Sequence, residues 1–355
     1  MKRFNVTGNC VPAEDYMVNI SGKISQIKQI IDSGFYFTLN QAKQSGKTTI
    51  LAVLKEILKN KYTIILINFG QMDASCFDSD EKFYLEFVKK AIDSLKLSSC
   101  DREYIIDWEN YSSDKYNSLS NHISKMCRSR KVVLIVDDAD INSNNRVFLN
   151  FLGMLRQKYM DKRNGKDYTF HSVVFASVKD IKNIELPVQT YHAPFNIAAD
   201  CNIDMSFSPA EISTMLHEYE ADHNSEMDIT AISEEIYNYT NGHPFLVSKI
   251  CQHIDEDPNR NWSLNGVHEA VKILIEERNT LFDDLFKNLN DNEDLYDFIY
   301  DILIRGVKRT FNIDNPILAL ALMYGIIKKG NPYVSISNKI FELKICDYFS
   351  RRERG

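Results

Sequence analysis

Nine consecutive residues, Gln41-Ala-Lys-Gln-Ser-Gly-Lys-Thr-Thr49, combine a glycine, two lysines and three hydroxyls in the order that suits a phosphate-binding loop. Gly46-Lys47-Thr48 follows an apolar run at 35–40 and precedes a helical pattern at 50–58. In that strand–loop–helix setting, backbone N–H groups at the helix start face an anion and the helix dipole reinforces them. Lys47 would reach the β- and γ-phosphates and the Thr48 hydroxyl would ligate Mg²⁺, with Ser45, Gly46 and Thr49 counted among the nucleotide-binding positions. The full pattern places a further glycine where Gln41 stands.

A second constellation supports the first. Lys131-Val-Val-Leu-Ile-Val-Asp137-Asp138 is an apolar strand ending in two carboxylates, the form of a Walker B segment. Strands of a parallel sheet buried on both faces read as continuous apolar runs. An acid at the carboxyl end of such a strand projects into the crevice where α/β sheets bind ligands. Asp137 is therefore the expected Mg²⁺ ligand, directly or through water, and Asp138 the residue expected to orient an attacking water. ATP or GTP is the implied ligand. The absence of a guanine-reading Asn-Lys-x-Asp motif after the strand tilts the base towards adenine.

The elements that must position these residues alternate over the first two hundred positions. Ser21 is expected to cap a helix carrying Ile24, Ile27, Ile30 and Ile31, closed by Gly34. Strands are expected at 35–40, 62–68, 131–137 and 171–177, and helices at 50–58, 83–97, 120–128 and 144–158. The polar stretch 98–115 reads as a surface insertion. Such alternation implies βαβ units and a mostly parallel sheet. From about residue 206 helical periodicity dominates, opening on Ser208-Pro-Ala-Glu211, a capping box with proline at the first helical position. Gly242 and Pro244 break one helix and begin another, and 264–286 reads as helical. From Leu295 the pattern fits a winged helix: a helix to Leu303, a recognition helix at 315–324, wing strands at 326–328 and 333–336, and a last helix at 340–349. The expected fold is α/β: a P-loop NTPase core with a mostly parallel sheet at 1–205, a helical lid at 206–260, and a helical linker and winged-helix domain at 261–355.

The chain has 355 residues, 44% hydrophobic and 26% charged, enough for a sizeable core and for more than one domain. Seven scattered cysteines without a Cys-x-x-Cys pair disfavour zinc sites and favour a reducing compartment. The Met1-Lys-Arg-Phe start has no apolar signal region, and no apolar stretch suffices to cross a bilayer, so the expectation is a cytoplasmic protein without a membrane partner.

The loop at 40–49, the Walker B strand, the Ser206-Phe-Ser-Pro-Ala-Glu-Ile212 helix entry, the Asn241-Gly-His-Pro-Phe-Leu246 segment and the winged-helix tail together resemble the bacterial AAA-like ATPases, close to the archaeal-type ATPases and the signal-transduction ATPases with numerous domains. The resemblance covers nearly the whole chain. It implies that a basic residue can stand at the place of Gln41, and that Lys43 and Gln44 supply phosphate or ribose contacts. It implies a first-sensor role for Ser177 and a lid role near adenine for Pro244. Tyr16 is either an adenine-stacking ring or a core residue; Arg146 and Arg156 are either finger arginines or solvated helix positions. Relatives often continue into a restriction-endonuclease-like domain, which is not expected within these residues. They usually carry Glu where this chain has Asp138. Aspartate is one methylene shorter, and misplacement on that scale costs on the order of 10²-fold in rate, so the expected activity is weak.

Charge is uneven. From Ile302 to Gly355, ten Lys or Arg face four Asp or Glu, a local +6, while the whole chain carries −7. The basic positions (among them Lys328, Lys329, Lys344 and the tail from Arg351 to Arg354) either contact DNA phosphates or brace the protein internally. The apolar recognition helix, Pro316-Ile-Leu-Ala-Leu-Ala-Leu-Met-Tyr324, favours the brace or a protein contact, since it lacks polar groups to read base edges. Three functional readings stay open: an Mg·ATP-dependent conformational switch acting on a protein partner or another copy, a DNA-binding ATPase, and a pseudo-ATPase interaction scaffold.

Overall fold

The protein is described by a computed structural model that covers residues 2–98, 100–111, 118–141, 145–179, 181, 195–199, 201–312 and 314–352. It divides into two compact units. One comprises Gly22–Asn40 and Ile50–Ile203; the other comprises Met1–Ser21, Gln41–Thr49 and Asp204–Gly355.

The first of these is α/β. Helix α1 (Ser21–Asp32) buries Ile24, Ile27 and Ile31, while Ile30 is only half-buried. Just before it, the Asn19 side chain accepts the Ser21 N–H at 3.0 Å. Strands β1 (Tyr36–Asn40), β2 (Thr63–Asn68), β3 (Val132–Asp137) and β4 (Ser172–Ser177) form one parallel sheet in the order β1-β4-β3-β2. A single parallel bridge, Phe37 to Ala199, begins a fifth position on the outer edge of β1. β3 and β4 are buried along their whole length, as their unbroken apolar sequences require. Helices α2 (Lys47–Leu58), α3 (Asp80–Leu97), α4 (Arg102–Glu109), α5 (Ser118–Arg128) and α6 (Arg146–Arg163) fill the connections. Phe83 of α3 packs against Phe151 of α6 at 5.2 Å and Phe69 at 5.7 Å, ring centre to ring centre, in an aromatic core beside the sheet.

Two expectations need correction here. The stretch read as a surface insertion contains α4, which buries Tyr104, Ile105 and Trp108; the charged Arg102, Glu103, Asp107 and Glu109 of the same short helix masked an i, i+1, i+4 apolar face. Residues 112–117, also in that stretch, lie outside the described residues. Helix α6 runs five residues beyond the expected end at Lys158, to Arg163, and the expected first residue, Asn144, lies outside the described residues.

The other unit is mostly helical. Helix α7 (Pro209–His223) has the expected capping box between Ser208 and Glu211. It is followed by α8 (Ile229–Thr240), α9 (Pro244–Glu256), α10 (Leu264–Glu276), α11 (Thr280–Asn290) and α12 (Glu293–Leu303). The single helix expected across 264–286 is two, because Asn279 ends one connection and caps α11 through Phe282 N–H at 3.0 Å. Helix α13 (Pro316–Met323), the two-stranded antiparallel pair β5 (Ile327–Lys328) and β6 (Ser335–Ile336), and α14 (Lys339–Arg352) complete it. Between α8 and α9, Gly242 has φ 73°, and a Cβ there would stand 1.9 Å from Phe207 O, so only glycine fits. No helix among the described residues is long and apolar enough to cross a membrane.

Candidate nucleotide site

The loop Gln41–Thr49 belongs to the helical unit. Its backbone is left-handed at Gln44 (φ 58°) and Gly46 (φ 81°). For glycine that conformation is inexpensive; a residue with a side chain holds it only where its surroundings fix it. Ser45 Oγ donates to Ala42 O at 2.7 Å and closes the turn from within. Helix α2 begins at Lys47, whose buried ammonium donates back to Gln41 O at 3.0 Å. Thr48 is exposed, and Thr49 Oγ1 accepts the Cys10 N–H at 3.3 Å. Burial first, and Asp15 second, push the Cys10 thiol above its ordinary range, so it is no thiolate nucleophile beside the loop. Pro244, the first residue of α9, lies against Gly46: a Cβ on that glycine would stand 3.8 Å from the proline ring.

Lys43 and Gln44 direct their side chains to α11. Lys43 Nζ pairs with Asp284 Oδ2 at 3.1 Å, and Gln44 Nε2 donates to Thr280 Oγ1 at 2.7 Å.

Within the α/β unit, the carboxyl edge of the sheet carries polar groups of its own. Asn40, Ser177, Asp137 and Asn68 end β1, β4, β3 and β2, and the register sets Asn40 beside Ser177 and Asn68 beside Asp137. Ser177 Oγ donates to Asn40 Oδ1 at 2.9 Å. Asp137 is 2% exposed, and its Oδ1 accepts the Asp138 N–H at 3.0 Å, which fixes the carboxylate at the strand end. Asp138 has φ 51°, a conformation aspartate tolerates better than longer side chains. Asn68 Nδ2 donates to its Oδ2 at 3.0 Å. Asp140 accepts the N–H groups of Val178 and Lys179 at 3.2 and 3.1 Å, tying the turn after β3 to the one after β4.

Sequence reasoning passed over Asn68, Asn40 and Asp140. A signal existed for the first two: each is an amide at the carboxyl end of an apolar run, where sheets of this class present their ligand groups. Tyr16 is a core residue: it is 2% exposed, 5.0 Å from the Phe4 ring and 5.2 Å from that of Tyr219, and its hydroxyl donates to Asp222 Oδ2 at 3.0 Å. Arg146 is exposed at the start of α6, and Arg156 is half-buried further along it. Among the described residues no three His, Cys, Asp or Glu side chains gather as a metal cage. Mg²⁺ is commonly held by one or two protein oxygens together with phosphates and water, which needs no such cage.

A family model described as an AAA-like domain matches residues 13–351. Comparison with curated proteins gives no match. Among solved structures, a Walker-type ATPase of Pyrococcus abyssi is similar over 97% of this chain and 99% of its own, with a TM-score of 0.64 and 10% identity. The ORC2 protein of Aeropyrum pernix, in its ADPNP–ADP complexes, is similar over 98% of this chain and 99% of its own, with a TM-score of 0.50 and 11% identity. At those identities the likeness is one of fold. A match running from residue 13 to residue 351 does more, and by it the chain belongs to the AAA-like domain family.

Proposed function

We propose that the protein binds Mg·ATP and hydrolyses it slowly, as a conformational switch. The observation that carries this reading is the loop itself: a Gly-Lys-Thr turn, left-handed at positions 44 and 46, that opens helix α2 at Lys47. The donor set fits the ligand. Gly46 keeps the turn free of a side chain, Lys47 supplies a cation, and Thr48 and Asp137 supply hard oxygens suited to Mg²⁺. Mg²⁺ held by these oxygens would neutralise phosphate charge. The residues then divide the work. Amides of 45–49 and Lys47 bind phosphate, Thr48 and Asp137 hold the cation, Ser177 senses the γ-phosphate, Asp138 orients water, and Pro244 borders the base. A nucleotide ligand is in line with the ADPNP–ADP complexes of the Aeropyrum pernix protein of similar fold.

Slow turnover is argued from Asp138, whose short side chain is engaged by Asn68. Steady-state phosphate release should stay below about 1 s⁻¹, at the low end of ordinary enzymes; a faster rate contradicts the switch. In this reading 206–260 form a lid and 261–355 a linker and winged helix.

Internal partners of the basic residues favour a brace over DNA contact. Lys328 Nζ donates to Asn241 Oδ1 at 2.6 Å, and Lys344 Nζ to Ile275 O at 2.7 Å. Arg305 and Arg309 both pair with Asp301, at 2.8 and 2.9 Å. Arg354 lies outside the described residues.

A further inference from the structure

Lys43 and Gln44 are tied to one helix, α11, at residues 241 and 236 positions further along the chain. Gln44 is the more demanding of the two, since its backbone is left-handed without being glycine. Its amide meets Thr280 Oγ1, a hydroxyl not needed to start the helix because Asn279 already caps it. Asp284, which holds Lys43, is one turn further along α11 and therefore on the same face as Thr280. Another face of α11 is anchored by buried Leu281, Phe282, Leu285 and Leu289. Two grips at i and i+4 on an anchored helix, meeting two adjacent loop residues, set the direction of the loop as well as its place. The ion pair is solvent-exposed, 64% at Lys43 and 35% at Asp284, and contributes little alone. The Gln44–Thr280 hydrogen bond is the main tether.

We propose that Thr280 and Asp284 are positioning residues of the phosphate loop, and that phosphate in the loop acts through them on α11 and the helices that follow. The coupling half of this rests on the ATP-binding reading above; the tether half does not. Anion binding is made by the amides of 45–49, so any change it imposes on residues 43–46 is felt at Thr280 and Asp284. Coupling of this kind is reciprocal: what α11 does to the loop, the loop's ligand does to α11. The side chains of Lys43 and Gln44 thereby act as levers and not as phosphate contacts.

The test is hydrogen–deuterium exchange on the full chain, comparing wild type, Thr280→Val, Thr280→Ser and the Thr280→Val/Asp284→Asn double variant, each with and without Mg·ATP. Without nucleotide, amides of 41–49 should exchange at least about fivefold faster in the double variant, as expected when a local closed state is loosened. Thr280→Ser, which keeps the hydroxyl, should match wild type. Unchanged exchange in the double variant overturns the tether. With Mg·ATP, wild type should show altered exchange across 280–290, and the double variant should lose that response while still binding with a Kd within about tenfold of wild type. Binding by wild type without any response at 280–290 overturns the coupling and leaves ATP binding intact. Failure of wild type to bind Mg·ATP overturns the proposed function and the coupling together, while the nucleotide-free arm still decides the tether.

Discussion

Asn68 donates its amide hydrogen to the Asp138 carboxylate at 3.0 Å, linking the carboxyl ends of β2 and β3. The left-handed backbone at Asp138 explains why a short side chain stands there: aspartate enters that region at lower cost than glutamate. Asp138→Asn should keep its pairing capacity with Asn68 and leave ATP affinity unchanged, while turnover falls at least about 10²-fold as the water-orienting base is lost. Asp138→Glu should lose roughly 1 kcal/mol of stability through the backbone and gain turnover, by up to about 10²-fold if the longer carboxylate restores alignment. Denaturant midpoints and single-turnover phosphate release separate the two effects.

Gly242 and Gly46 make a paired test of close approach against conformation. Both have positive φ, but only at Gly242 would a Cβ collide with backbone, 1.9 Å from Phe207 O. Gly242→Ala should therefore cost more than about 3 kcal/mol, in the range reserved for core damage. Gly46→Ala, whose Cβ would meet only the Pro244 ring at an ordinary 3.8 Å, should cost about 1 kcal/mol of stability and act mainly by weakening Mg·ATP binding. Equal destabilisation by the two would contradict this geometry.

Much of this was legible in the chain because the signals were local. Apolar runs at β3 and β4 announced buried parallel strands, and Ser208 with Glu211 announced the start of α7. Helix α4 was hidden because Tyr104, Ile105 and Trp108 sit in a short segment with Arg102, Glu103, Asp107 and Glu109, charged residues that read as surface. The Lys43–Asp284 and Gln44–Thr280 contacts were invisible for a different reason: no local pattern reports a partner more than 230 residues distant. The amide of Asn68 could have been suspected from its place at a strand end, but its bond to Asp138 depends on pairing between strands.

Two histidines should make the fold acid-sensitive. Burial depresses both His122 and His243 to a pKa of about 4. Each binds a proton in the unfolded chain, near 6.5, before it does so in the folded one. Stability is therefore fully present above about pH 6.5 and falls as the pH drops towards 4, by up to about 1.4 kcal/mol per pH unit for each group. Urea midpoints between pH 4.5 and 7 should show this slope, and His122→Gln should flatten it. A midpoint independent of pH over that window would contradict it.

The basic carboxyl-terminal region should not act as a DNA-binding surface. Lys328 is engaged by Asn241, and burial lowers its pKa. Retardation of duplex DNA should be absent at sub-micromolar protein in moderate salt, and Lys328→Met should reduce thermal stability instead. A salt-sensitive shift, lost when Lys328 and Lys329 are neutralised, would restore the DNA reading.

Isothermal titration of Mg·ATP into wild type and Lys47→Ala bears most directly on the whole account. Wild type should bind one nucleotide, more weakly when Mg²⁺ is removed, and Lys47→Ala should lose at least about 10-fold in affinity, some 1.4 kcal/mol. No heat from wild type, or the same affinity in both proteins, would leave an AAA-like fold that serves as a scaffold.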